Sequence, residues 1–174
     1  VKKQIVVIGL GRFGSSVCKE LHSLGHEIMA IDTNPDKVDA LREYASFTVN
    51  ADATDENQLK SLGVRNFEHA IVAIGDDLQA SVLCTLMLKE LGLPKVWVKA
   101  RDLQHEKILH KVGADRVIQP EKEMGIRVAH HVDSDKIVDY IDLSHDYSII
   151  ELVASGKMAN KTLIDMNIRK EFNC

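Results

Sequence analysis

Lys2 to Glu20, KKQIVVIGLGRFGSSVCKE, restricts what this chain can become more than any other stretch. A short apolar run, Ile5 to Ile8, meets Gly9-Leu10-Gly11-Arg12-Phe13-Gly14, and Phe13, Val17, Leu21 and Leu24 follow at helical spacing. The pattern reads as strand, tight turn and helix. Gly9 allows the turn, Gly11 admits a pyrophosphate close to the backbone, and Gly14 lets the helix lie close against the strand. The N–H groups at the helix N-terminus then face the phosphates. A second strand, Glu27 to Ile31, ends in Asp32, 18 residues beyond Gly14, where an acid accepts both hydroxyls of an adenosine ribose. A glycine triplet alone is weak, but this strand, helix and acid supply the context it needs.

The same rhythm continues along the chain. Thr33-Asn34-Pro35 supplies a cap and a first-position proline for a short helix that buries Val38, Leu41 and Ala45. A third strand, Phe47 to Ala51, leads to Thr54 or Asp55 as the cap of a helix with Leu59 and Leu62 inward, stopped by Gly63. A fourth, Ala70 to Ile74, precedes a helix from Leu78 whose inward face is read as Val82, Leu86 and Met87. A fifth strand, Val96 to Ala100, a helix around Glu106 to Lys111 and a sixth strand, Arg116 to Ile118, complete the series. Strands separated by helices give a Rossmann-like α/β fold, a doubly wound parallel sheet of six strands with right-handed crossover helices. Fully apolar strands such as IVVI fit a sheet covered on both faces. Met124 to Val132 and Ile137 to Leu143 read as further helix, more apolar than this sheet needs, and so suited to reach a partner subunit or to cross to the next lobe. Tyr147 to Ala154 is strand-like and Lys161 to Glu171 helix-like. We therefore expect a nucleotide-binding domain over residues 1–143 and the truncated beginning of a small C-terminal α/β lobe over 144–174.

Composition excludes several functions. Hydrophobic residues are 45% and charged residues 28% of the 174, a globular balance, and the net charge of −4 comes from interleaved acids and bases. No basic surface calls for nucleic acid. No apolar run approaches a membrane span, and no signal segment opens the chain, so a cytoplasmic location is expected. Cys18, Cys84 and Cys174 form no CxxC pair and read as reduced and mostly structural. The eight histidines show no metalloprotease spacing, and no GxSxG elbow or Walker lysine is present.

In a sheet of this kind the ligand crevice lies outside the carboxyl ends of the strands. That rule gathers Gly9 to Gly14, Asp32-Thr33-Asn34, Asp52-Ala53, Ile74-Gly75-Asp76, Lys99-Ala100-Arg101 and Glu121 into one region. Asp32 repels a 2′-phosphate and no arginine follows it, which disfavours NADP. Arg12 can reach a terminal phosphate, or stand as a solvated loop cation. His105 can approach the nucleotide, cap its helix or face solvent. Glu121 can bind a ribose or a divalent ion, or simply complement a helix N-terminus. A dehydrogenase needs a substrate pocket and an acid or base beside the nicotinamide, usually from a second domain, and this chain has none of that size. No catalytic residue is assigned.

IVVIGLGRFGSSVCKEL, MAIDTNPDKV, NADATDENQLKSLGVRNFEHAIVAIGDDLQASVL, LGLPKVWVKARDLQHEKILHKVGADRVIQPEKEMG and YSIIELVA together resemble the regulator of potassium conductance, or RCK/KTN, family. More narrowly, they are similar to the cytosolic regulatory subunit of Ktr-type potassium uptake systems. The resemblance spans essentially the whole chain. It implies that Gly9, Gly11 and Gly14 carry phosphates, with Phe13 in their loop, that Asp32 holds the ribose, and that Arg12 meets the last phosphate of ATP. Thr33, Asn34, Asp52, Ala53, Ile74, Gly75, Asp76, Lys99, Ala100, Arg101 and His105 would complete the pocket. Glu121 would face the nucleotide and a magnesium or calcium ion. Relatives in the family use ATP and ADP, with NAD or NADH as further ligands. They form dimers and an octameric ring docked at the inner face of the membrane on a potassium-translocating subunit. Some bind cyclic di-AMP in a longer C-terminal lobe. Arg101 stands where relatives often carry glutamine. The alternative function is an NAD(H)-sensing regulator with another partner.

Overall fold

Six strands of three to six residues, β1 (Gln4–Ile8), β2 (Glu27–Asp32), β3 (Phe47–Asn50), β4 (His69–Val72), β5 (Lys95–Lys99) and β6 (Arg116–Ile118), lie parallel in the order β3-β2-β1-β4-β5-β6. The computed structural model describes residues 1–133, 137–142, 147–154, 156 and 158–172. By its contacts the chain divides into two units, Val1–Pro120 and Glu121–Cys174. In the first, each of the strands β1 to β5 is followed by a helix: α1 (Arg12–Ser23), α2 (Pro35–Asp39), α3 (Glu56–Ser61), α4 (Leu78–Glu90) and α5 (Leu103–Lys111). A parallel pair cannot be closed by a tight hairpin, and these helices are the crossovers it requires.

β1 sits at the centre, with Ile8 in register with Ile31 on one side and Val72 on the other. Successive side chains of a strand point to opposite faces, so IVVI divides between two cores. Ile5 and Val7 join Cys18, Ile28 and Leu41 on one face, and Val6 and Ile8 join Ile31, Leu59, Leu88 and Val98 on the other. Each such fully buried side chain contributes roughly 1.5–3 kcal/mol. Cys18 and Cys84 are buried here, and burial pushes both thiols up to about 12, so they stay protonated and inert. Cys174 lies outside the described residues.

Two helix faces differ from expectation. α1 ends at Ser23, which turns Leu24 out to 62% exposure rather than onto the inward stripe. α4 buries Ser81, Cys84, Thr85 and Leu88, while Val82, Leu86 and Met87 are half-buried. This helix is apolar around most of its circumference, so periodicity does not orient it. The small residues do, because they let the helix approach the sheet closely, and the Thr85 hydroxyl donates to the Ser81 carbonyl oxygen at 2.7 Å.

The second unit holds most of α6 (Pro120–Asp133), then β7 (Ile137–Asp142) paired antiparallel with β8 (Ser148–Leu152), then α7 (Leu163–Met166) and α8 (Ile168–Phe172). The helix expected over Ile137 to Leu143 is therefore a strand through Asp142. A short run rich in Ile, Val and Tyr has strong strand preference, and β8 supplies the backbone partners. Leu143, and with it the expected domain boundary, lies outside the described residues. Thr162 and Asp165 form a reciprocal capping box that starts α7.

Candidate functional site

The strand order reverses between β1 and β4, and there the loops leaving the two strands part to open a cleft of about 500 Å³. Gly9 makes the exit from β1. Its φ of +90° belongs to the left-handed region, its N–H donates to the Ile31 carbonyl at 2.9 Å, and a side chain there would press within 3.0–3.1 Å of the Ala73 backbone. At Gly14 a Cβ would overlap the Gly9 carbonyl oxygen. Gly11 is different in kind: nothing stands within 4 Å of the place its Cβ would take, and Gly11 lines the cleft.

α1 has Gly11 at its N-cap, with no side-chain cap and no acid in its first turn, whereas Asn34, Asp55, Asp77 and Asp102 cap α2, α3, α4 and α5. The first N–H groups of α1 are thus left to an anion, and the helix dipole favours negative charge at that point. Asp32 closes the opposite wall. It is 9% exposed, and its Oδ2 accepts the Leu10 N–H at 2.6 Å while Oδ1 accepts the Asn34 N–H at 2.8 Å. A carboxylate has about four acceptor positions, so two remain for hydroxyls of a ligand in the cleft. One side chain therefore both shapes the glycine loop and faces the space beside it.

Of the residues expected at the site, Gly9, Gly11, Asp32, Thr33, Asp52, Ala53, Ile74, Gly75 and Asp76 line the cleft. Asp52 is held by an Asx turn in which Oδ1 accepts both the N–H and the hydroxyl of Thr54, at 2.8 and 2.7 Å. The others stand elsewhere. Asn34 spends its Oδ1 on the Asp36 and Lys37 N–H groups as the cap of α2. Arg12 is exposed at the start of α1, and Gly14 is buried behind the loop. Lys99 lies at the rim, its Nζ 6.0 Å from the Phe13 ring centre and 3.4 Å from where a Gly75 Cβ would be. Ala100 is buried and donates its N–H to Ile118, and Arg101 is exposed with Nε donating to Asp102 at 3.1 Å. His105 neither caps nor faces solvent: it is fully buried, Nδ1 accepts the Arg101 N–H at 3.3 Å, and Nε2 has no partner among the described residues. Burial holds its imidazole below the usual range, an effect that nearby Asp102 opposes and Arg101 reinforces. Glu121 is exposed in the first turn of α6, in the second unit.

Sequence reasoning missed Lys37, Thr54, Asp77, Gln79, Ala80 and Leu83, all of which line the cleft. Gln79 and Leu83 are four apart and share one face of α4, a spacing that the chain itself displays. Lys37 is brought in by the packing of α2 against β2 and β3, with its Nζ 3.9 Å from Asp32 Oδ2. Among the described residues no three His, Cys, Asp or Glu side chains gather to hold a metal ion, and no helix is long and apolar enough to cross a membrane.

Comparison with known proteins places this geometry. Residues 5–120 match the family described as the TrkA-N domain. Over 172 residues the chain is 55% identical to Ktr system potassium uptake protein A of Bacillus subtilis (strain 168) and 49% identical to Ktr system potassium uptake protein C of the same organism. Each of those alignments covers 99% of this chain and 78% of the relative. Among solved structures, the GsuK channel bound to NAD superposes with a TM-score of 0.71 at 18% identity, covering 98% of this chain and 31% of that one. GsuK bound to ADP does so with a TM-score of 0.61 at 19% identity, covering 97% and 51%. At that identity the likeness to GsuK is one of fold.

Proposed function

This chain belongs to the TrkA-N domain family, and from that premise we propose that it is the nucleotide-binding regulatory part of a potassium-uptake system. The single observation that carries the reading is the cleft in which the uncapped start of α1 and the Asp32 carboxylate face the same space. Phosphate at one end and ribose hydroxyls at the other is the arrangement of an adenine nucleotide. GsuK is a protein of this fold with NAD and with ADP bound, and the relatives at 55% and 49% identity are potassium uptake proteins. The role is one of binding and conformational control rather than catalysis.

ATP and ADP share the cleft, and only ATP carries a phosphate far enough out to engage Arg12 and neighbouring subunits. The two ligands then favour different shapes of a ring of chains. Moving such a ring from 1:99 to 99:1 takes about 5.5 kcal/mol of differential affinity, or ~0.7 kcal/mol from each of eight sites. The ring sits on the inner face of the membrane through a potassium-translocating subunit. The exposed apolar residues Met124, Val128 and Val132 of α6 support self-association. A magnesium or calcium ion would take its ligands chiefly from the nucleotide phosphates.

The test is thermal stabilisation of the purified chain by ATP, ADP, NADH and NADPH at matched concentrations, with solution mass measured on the same samples. Strong stabilisation by ATP and ADP, with a ring-sized mass whose shape changes between them, is the expected result. Stabilisation by NADH alone on a dimer would favour an NAD(H) sensor with another partner, and no stabilisation by any of them would remove the nucleotide reading.

A further inference from the structure

We infer that Lys37 is a specificity-determining residue of the cleft, and that it enables the site to accept an adenine nucleotide carrying a phosphate on the ribose 2′ oxygen. The inference rests on the nucleotide reading above and refines it. An acid at the end of the second strand ordinarily rejects such ligands, because a phosphate dianion would lie against a carboxylate. The absence of arginine at position 33 pointed the same way. Tertiary structure alters that balance. Lys37 lines the cleft, its Nζ stands 3.9 Å from Asp32 Oδ2, and its side chain keeps 48% of its surface in solvent. The ammonium is therefore not consumed by a buried ion pair and is free to move by a rotamer. Asp32, by contrast, already spends an acceptor position of each oxygen on the Leu10 and Asn34 N–H groups, which compensates part of its charge.

Two arrangements of one pair follow. With an unsubstituted ribose, Asp32 accepts the 2′ hydroxyl, and Lys37, drawn to the same oxygen, competes with it. With a 2′-phosphate, Lys37 leaves Asp32 and donates to the phosphate, while Asp32 stays with the two backbone donors. Lys37 should therefore act in opposite directions on the two ligands. A residue that merely supports the fold of α2 would move both the same way.

The experiment measures equilibrium binding of 5′-AMP, adenosine 2′,5′-bisphosphate and adenosine 3′,5′-bisphosphate to the wild-type chain, Lys37→Gln and Lys37→Arg at low salt. In the wild type the 2′,5′ ligand should bind within about tenfold of 5′-AMP. Lys37→Gln should weaken the 2′,5′ ligand about tenfold and tighten 5′-AMP about twofold, and Lys37→Arg should restore the wild-type order. The 3′,5′ isomer should show a smaller dependence on Lys37 than the 2′,5′ isomer. Weakening of both ligands by a common factor in Lys37→Gln, no change in either, or equal effects on the two isomers would overturn the assignment. If wild-type chain bound no 5′-AMP at all, the nucleotide reading itself would fall, a result separable from the others because it needs no variant.

Discussion

Replacing Gly14 and Gly11 one at a time by alanine should separate what the glycine loop does for the fold from what it does for a ligand. At Gly14 the new methyl would overlap the Gly9 carbonyl oxygen and lie 3.2 Å from the Ala73 Cβ. Gly9 is held in place, because its N–H donates to the Ile31 carbonyl at 2.9 Å. The first turn of α1 would have to withdraw by more than about 1 Å to restore an ordinary separation. Overpacking of this kind costs about 3 kcal/mol, against which alanine returns about 1 kcal/mol of helix propensity. The net loss of ~2 kcal/mol should lower Tm by about 4–8 °C. Gly11 has a φ of −71° and open space before it, so Gly11→Ala loses only the cap preference, at most about 1 kcal/mol, but places a methyl in the space proposed for phosphate. Unfolding of both variants without nucleotide, followed by ADP titration, is the assay. A Gly14→Ala chain as stable as wild type, or a Gly11→Ala chain that binds ADP normally, would refute the reasoning.

Asp32→Ala should weaken every adenine nucleotide by roughly 1.5–3 kcal/mol, since it removes a charge-assisted acceptor, and calorimetric titration would show it. Unchanged binding would end the ribose assignment. Arg12→Ala should cost ATP more affinity than ADP, and an equal loss for both would take Arg12 out of the proposed switch. For His105, burial lowers the folded value below its usual 6.5, so the unfolded chain takes up the proton first. Its contribution to stability is complete above about pH 6.5 and is lost as pH falls from there through the folded value. Urea unfolding between about pH 7.5 and 5 should show stability declining with acid, with a shallower decline in His105→Leu. Parallel slopes would mean that His105 is not held neutral.

How far the sequence reached depends on how local each feature is. The glycine loop, the acid after β2 and the caps at Asn34 and Asp55 are matters of spacing over a few residues, and they stand where the spacing puts them. Ile137 to Asp142 was not legible in the same way, because a short apolar run carries no decisive period and its strand exists through pairing with β8. The inward face of α4 was hidden for a related reason: an all-round apolar helix turns whichever side fits closest, here Ser81, Cys84 and Thr85.

The one-dimensional pattern of apolar runs, helices and turn glycines was enough to determine the doubly wound sheet, since parallel strands joined by short crossovers have few alternative topologies. Comparison with the TrkA-N family and the Ktr proteins bears out the resemblance read from the same residues. Only tertiary structure decided which side chains meet. It brought Lys37 beside Asp32 and Gln79 into the cleft, and it turned His105 into the interior. Those outcomes depend on the distance and angle at which a helix lies on the sheet, and that is set by close packing among residues far apart in the chain.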